Sequence, residues 1–149
     1  MDWSPLNQLP KEIRDALDRE LVASYTPQFK RETVSFIVPG VVAATAEQGG
    51  VWEAPAAGRI SRVLAYRKST AGTGGETKVD VNIDGTTIFT TQTRRPTILF
   101  NSTSKKALSG VIEAGAFVEG SLVTMDVDTI DSGGAPSDLT VVLTVEYSG

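Results

Sequence analysis

The chain has 149 residues, no cysteine, no histidine, and 18 acidic against 14 basic residues for a formal net charge of -4. This removes thiol nucleophiles, disulfides, imidazole bases and the two residue types that dominate zinc and copper sites. It also leaves no basic field for a nucleic-acid backbone beyond the pairs Arg94-Arg95 and Lys105-Lys106. One domain with a real core fits the length, burying roughly 70% of its unfolded surface. No run reaches the roughly 18 to 20 apolar residues of a membrane span, and the amino terminus has no charged segment followed by an apolar signal core. The expectation is a soluble protein without nucleic-acid or membrane partners.

In chain order, the first predicted element is a helix. Leu9, Ile13, Leu17 and Leu21 recur every fourth residue, with charged residues on the remaining faces and Pro5 and Pro10 near the entrance. A helix of about 15 residues is marginal alone in water, so its apolar stripe needs a surface, either its own sheet or another chain. With Trp3 ahead of it, the stripe is the expected partner-binding surface. The polar segment Thr26 to Thr33 reads as a connector, which places a helical arm at 1–33 and a β domain at 34–149.

From Val34 onward the pattern is β. Strands are predicted at Val34 to Val38, Gly40 to Thr45, Arg59 to Arg67, Lys78 to Ile83, Thr86 to Thr91, Thr97 to Phe100, Ala107 to Ile112, Ser121 to Thr129 and Leu139 to Tyr147. Turn residues separate them at a rhythm of roughly 8 to 12 residues. The clearest hairpin is Lys78 to Thr91, where alternation runs on both sides of Asp84-Gly85. STAGTGG and SGGAPSD read as loops. The fold class expected is an all-β jelly-roll or Greek-key sandwich of eight or nine strands with one amino-terminal amphipathic α-helix.

The candidate sites are weak. Asp80, Asn82, Asp84 and Gly85 match the opening of a calcium loop, but Thr91 stands where a bidentate glutamate belongs and strands flank the motif. A solvated strand face with a hairpin turn is the plainer reading of the three polar side chains. Asp126, Asp128 and Asp131 read as a wet sheet edge rather than a metal cage. Paired carboxylates such as Asp80 and Asp128 are the sharpest enzymatic alternative, a glycosidase, yet nothing in their spacing selects them. GTGGETK lacks the P-loop order, and the sequon at Asn101 lacks an export signal. No catalytic residue and no cofactor is expected.

One resemblance is carried by the order of motifs. Ala54-Pro55 with Gly58 and Ile60, then Asp80, Asn82 and Gly85, then Arg95-Pro96-Thr97-Ile98, Asp126-Val127-Asp128 and Asp138-Leu139-Thr140-Val141 follow one another. In that order they resemble a β-module of tailed-bacteriophage virion proteins, among them capsid decoration proteins, head fibres and parts of tail fibres. The resemblance spans roughly residues 34 to 147. It implies a non-enzymatic virion structural protein, most simply a homotrimeric decoration protein that binds the major capsid protein on the outer capsid surface after synthesis in the host cytoplasm. A tail-fibre or receptor- or carbohydrate-binding module is the alternative it leaves open.

Overall fold

A computed structural model describes residues 10–12, 30–70 and 72–148. The chain divides into two units between Lys30 and Arg31. In the first, Lys11 and Glu12 are helical. Trp3 and the stripe Leu9, Ile13, Leu17 and Leu21 lie outside the described residues.

The second unit is all β, with ten strands in two antiparallel sheets. They are β1 (Arg31–Val41), β2 (Trp52–Glu53), β3 (Gly58–Thr70), β4 (Gly74–Ile83), β5 (Thr86–Thr87), β6 (Thr97–Leu99), β7 (Lys106–Leu108), β8 (Ala116–Phe117), β9 (Leu122–Ser132) and β10 (Pro136–Tyr147), with a 3-10 turn at Gln92–Arg94. One sheet runs β1-β10-β3-β7 with β8 also on β3, and the other runs β2-β9-β4-β5 with β6 also on β4. We call them sheets A and B. Of the chain's changes of sheet, those between β3 and β4 and between β9 and β10 join the longest strands of the two sheets. The β3–β10 and β4–β9 ladders are therefore two halves of one ribbon folded over itself, with both crossovers at the same end.

Alternation builds the core between the sheets. Val63 and Ala65 of β3 and Leu139, Val141, Leu143 and Val145 of β10 meet Val79 and Val81 of β4 and Val123, Met125 and Val127 of β9, all buried. Each larger aliphatic side chain contributes about 1.5–3 kcal/mol relative to exposure, an upper bound given the compactness of real unfolded chains. Phe117 closes one end, with Trp52 and Tyr147 edge-on to it at ring-centroid distances of 5.5 and 6.3 Å. Gly58 stands where a Cβ would lie 2.3 Å from the Glu146 carbonyl oxygen, so only glycine lets β3 start flush against β10.

Several expectations are corrected. Arg31 to Thr33 belong to β1 and not to a connector, because they pair with Thr144 to Glu146 of β10. The separate strand expected at Gly40 to Thr45 is absent: β1 passes through a bulge beyond Val38, with Gly40 at φ of 73°, pairs again with β10 at Val41 and ends there. STAGTGG and SGGAPSD are mostly ladder rather than loop. Gly74 and Gly75 pair with Ser132 and Asp131, and β10 already begins at Pro136. Thr86 to Thr91 supplies only a two-residue strand, after which the chain still follows β4: Ile88 donates its N–H to Val81 and Val79 donates to Pro96. Of Ala107 to Ile112 only Ala107 and Leu108 are strand, within β7, and β2 and β8 were not foreseen.

Candidate interaction surfaces

The Asp84-Gly85 turn is as the sequence indicates, with φ of 49° and 81° at the two central residues, the signature of a type I′ hairpin. The polar face of β4 is not wet, however. Asp80 and Asn82 are only 7% and 9% exposed. Asp80 Oδ1 accepts the Val81 N–H at 2.8 Å and the Thr87 hydroxyl at 2.7 Å, so the chain leaving the hairpin folds back over it. Asn82 donates its amide to Asp126 Oδ2 at 2.7 Å, and Asp126 Oδ1 takes the Glu47 N–H at 2.9 Å. Asp84 Oδ1 accepts the Leu122 N–H at 2.9 Å. The three side chains that suggested a calcium loop are thus engaged in separate structural bonds, Asn82 through its amide nitrogen rather than an oxygen. Among the described residues no group of three or more carboxylates is placed to hold a metal ion.

Burial pushes the Asp80 carboxyl above the ordinary 3.8, against the pull of its bonds from Thr87 and Val81; the Asp128 carboxylate adds to the rise and the Arg95 guanidinium opposes it. Asp128 in turn pairs with Arg95.

The second acidic set is split. Asp126 and Asp128 lie on the outer side of sheet B, whereas Asp131, in phase with Val123, Met125 and Val127 along β9, is buried. The ladder with β4 shifts register on either side of Lys78 in opposite senses, so this phase is kept. Asp131 meets Arg67, which is 2% exposed. Arg67 Nη1 donates to Asp131 Oδ1 at 2.7 Å and to Thr77 Oγ1 at 2.8 Å, and its Nη2 donates to the Leu99 carbonyl at 2.6 Å. This buried pair ties β3 of one sheet to β4 and β9 of the other.

Sheet A presents a different outer surface. Its cross-strand rows read Ser35, Val142, Leu64, Leu108 and, next to it, Ile37, Thr140, Tyr66, Lys106. Ile37, Tyr66 and Leu108 are 59%, 43% and 55% exposed, with Leu64 and Val142 half-buried among them. Arg62, Lys68 and Lys106 are exposed around this apolar centre. At one end of the face Glu146 accepts bonds from Arg59 at 3.1 and 2.8 Å and from Arg31 at 2.8 Å. The Arg59 bonds chiefly hold its carboxyl below the ordinary range, and Arg31 adds to the effect. Nearby, burial and the adjoining Glu32 push the Tyr147 phenol up to about 12.

The sequence reading missed this face. Its signal was there, in the unbroken apolar runs Val63-Leu64-Ala65-Tyr66 and Val141-Val142-Leu143, which are the mark of a strand covered on both sides.

A second apolar patch lies where β9 begins. Leu122 pairs with Glu53 and is exposed, as is Val51, two residues ahead of Glu53. Asp84 and Val118 line a common hollow of about 260 Å³ beside it. The charges here are acidic: Glu53, Asp84 and Glu119.

No family model matches the sequence. No curated protein matches it. Among solved structures, the capsid of Ralstonia phage GP4 is 15% identical with a TM-score of 0.49, covering 83% of this chain and 88% of that one. The capsid asymmetric unit of cyanophage Pam1 is 16% identical with a TM-score of 0.49, over 80% and 84% of the two chains. A carbohydrate-binding module of family 36, in complex with calcium and xylotriose, is 16% identical with a TM-score of 0.30, over 78% and 72%. At these identities and scores the likenesses assign no function.

Proposed function

We propose that this chain is a tailed-phage virion protein, a homotrimeric decoration protein whose jelly-roll sandwich sits on the outer surface of the major capsid shell. The observation that supports this reading most is the placing of the resembling motifs. Ala54-Pro55 and Gly58 open β3, Asp80 to Gly85 form the β4–β5 turn, Pro96-Thr97-Ile98 enters β6, and the two closing motifs lie on β9 and β10. The sequence order of the module is thus laid out strand by strand on one sandwich.

The work of such a protein is mechanical. It stabilises the assembled shell to the extent that it binds that state more tightly than free subunits. Threefold placement multiplies a modest contact by avidity, provided that the geometry lets all three arms engage. Trp3 and the stripe Leu9, Ile13, Leu17, Leu21 are the proposed capsid contact, and the sandwich carries the contact between copies.

The test has two readouts on one sample: mass in solution by light scattering, and co-sedimentation with undecorated shells of the phage that carries this gene. The expected result is a trimer that pellets with shells. The double variant Ile13→Asp/Leu17→Asp should keep the circular dichroism and urea midpoint of the sandwich but lose at least about tenfold in shell binding, since each change places a charge on an apolar contact. A wild-type protein that ignores shells but is retained on a glycan array would replace this reading with that of a tail or carbohydrate-binding module.

A further inference from the structure

The two exposed apolar patches of the sandwich differ in charge. On sheet A the centre formed by Ile37, Leu64, Tyr66 and Leu108 is rimmed by Arg62, Lys68 and Lys106. At the start of β9 the centre formed by Val51, Val118 and Leu122 is rimmed by Glu53, Asp84 and Glu119. Large apolar side chains grouped this way mark interaction surfaces more often than chance exposure.

We infer that these patches are the two halves of one interface, the basic face of sheet A in one copy docking on the acidic β9 end of the next. Complementary charge selects this partner. A face-to-face contact between two copies of sheet A would set one basic rim against another, and like charges across an interface oppose association. Pairing unlike patches removes that repulsion and gives each apolar centre a cover. The side chains are also free to serve. Glu53 and Glu119 hold no hydrogen bond or ion pair among the described residues, and Lys68 has only a loose contact of 3.8 Å with Asp138.

A contact between unlike patches is heterologous, so repeating it closes a ring or runs on as a filament. One patch lies on the outer face of sheet A and the other on the outer side of sheet B where β9 begins, and the angle between successive copies decides whether repetition closes a ring or runs on. A ring of three is the count that follows if the decoration reading holds. The interface itself rests only on the notion that this sandwich self-associates.

Charge reversal tests it by light scattering across a dilution series, without shells. Lys68→Glu/Lys106→Glu alone and Glu53→Lys/Glu119→Lys alone should each raise the dissociation constant at least about 100-fold, because each places like charges together. The four-fold variant carrying both pairs should restore the wild-type mass, since the charges are again opposite. Wild-type association should also weaken between about 0.1 and 1 M salt, as the screening length falls from ~10 to ~3 Å.

A monomeric wild type overturns the proposal, as does a four-fold variant that stays dissociated while its urea midpoint is unchanged. If the four-fold variant fails to fold, the decision passes to an equimolar mixture of the two double variants. Favourable contacts in it join only unlike copies, so a ring of three cannot close; mixed pairs or larger even assemblies uphold the interface, and a mixture that stays monomeric overturns it. A ring that forms but does not pellet with shells upholds the interface and sinks the decoration reading.

Discussion

Arg67 and Asp131 are the residues on which this fold departs most from the expectation that charge lies outside. Both side chains are almost completely buried, in contact with each other and with Thr77. Removing one partner strands the other charge, so Asp131→Ala should destabilise the sandwich by about 3–5 kcal/mol, read from urea unfolding. The triple variant Arg67→Met/Asp131→Leu/Thr77→Val should recover most of that loss, because an apolar replacement leaves no charge to desolvate. Asp80 makes an opposite prediction. Its folded pKa lies above its unfolded value, so the folded chain holds a proton that the unfolded chain has released between the two. Stability from this group is therefore full below the unfolded pKa and is lost as pH rises through the folded one. Asp80→Asn keeps an oxygen for the Thr87 hydroxyl and the Val81 N–H while removing the charge. It should raise the Tm at pH 7 and flatten the fall in stability on the way up from acid pH; a lower Tm at pH 7 would contradict the account.

The long strands were legible in the sequence because alternation and turn residues agreed. The strands predicted at Ser121 to Thr129 and Leu139 to Tyr147 form, with Leu122 to Asp128 showing the faces that the alternation indicates, and the Asp84-Gly85 turn follows from residue type alone. That turn carries its own prediction. Gly85→Ala forces a Cβ into positive φ, so it should cost about 1 kcal/mol by urea midpoint with the β4–β9 ladder intact. What was not legible depends on tertiary contact. No pattern in β4 says that the Thr87 hydroxyl will close on a buried Asp80, and although alternation along β9 carries Asp131 to the inner face with Val127, its charge argues against that face until Arg67 is seen beside it. Arg67 is the sharpest case. Local alternation groups it with Val63 and Ala65, yet its charge argues for the opposite face, and only Asp131, 64 residues away, decides the matter.

At the scale of the whole molecule the sandwich is polarised. Sheet A turns an apolar, basic surface outward, whereas Glu53, Asp84, Asp126 and Asp128 gather along the outer side of sheet B. Composition alone hides this, since the net charge of -4 averages over both. The candidate site residues read from the sequence were the ones a motif can flag, carboxylates and a leucine stripe. Those that the fold adds, Ile37, Tyr66 and Leu108, come from three different strands and become neighbours only when β1, β10, β3 and β7 assemble in that order.

Arg31, where the sandwich begins, pairs with Glu146, almost where it ends, and the ladder between them is antiparallel. Hydrogen bonds in such a ladder run across the strands. A tug between these two residues therefore falls on the Arg31–Glu146 pair first and opens the ladder like a zipper, one rung after another, instead of loading all the rungs in shear. Strain arriving through the residues ahead of Arg31 would be spent in peeling β1, with the folded ribbon of β3, β4, β9 and β10 left whole behind it.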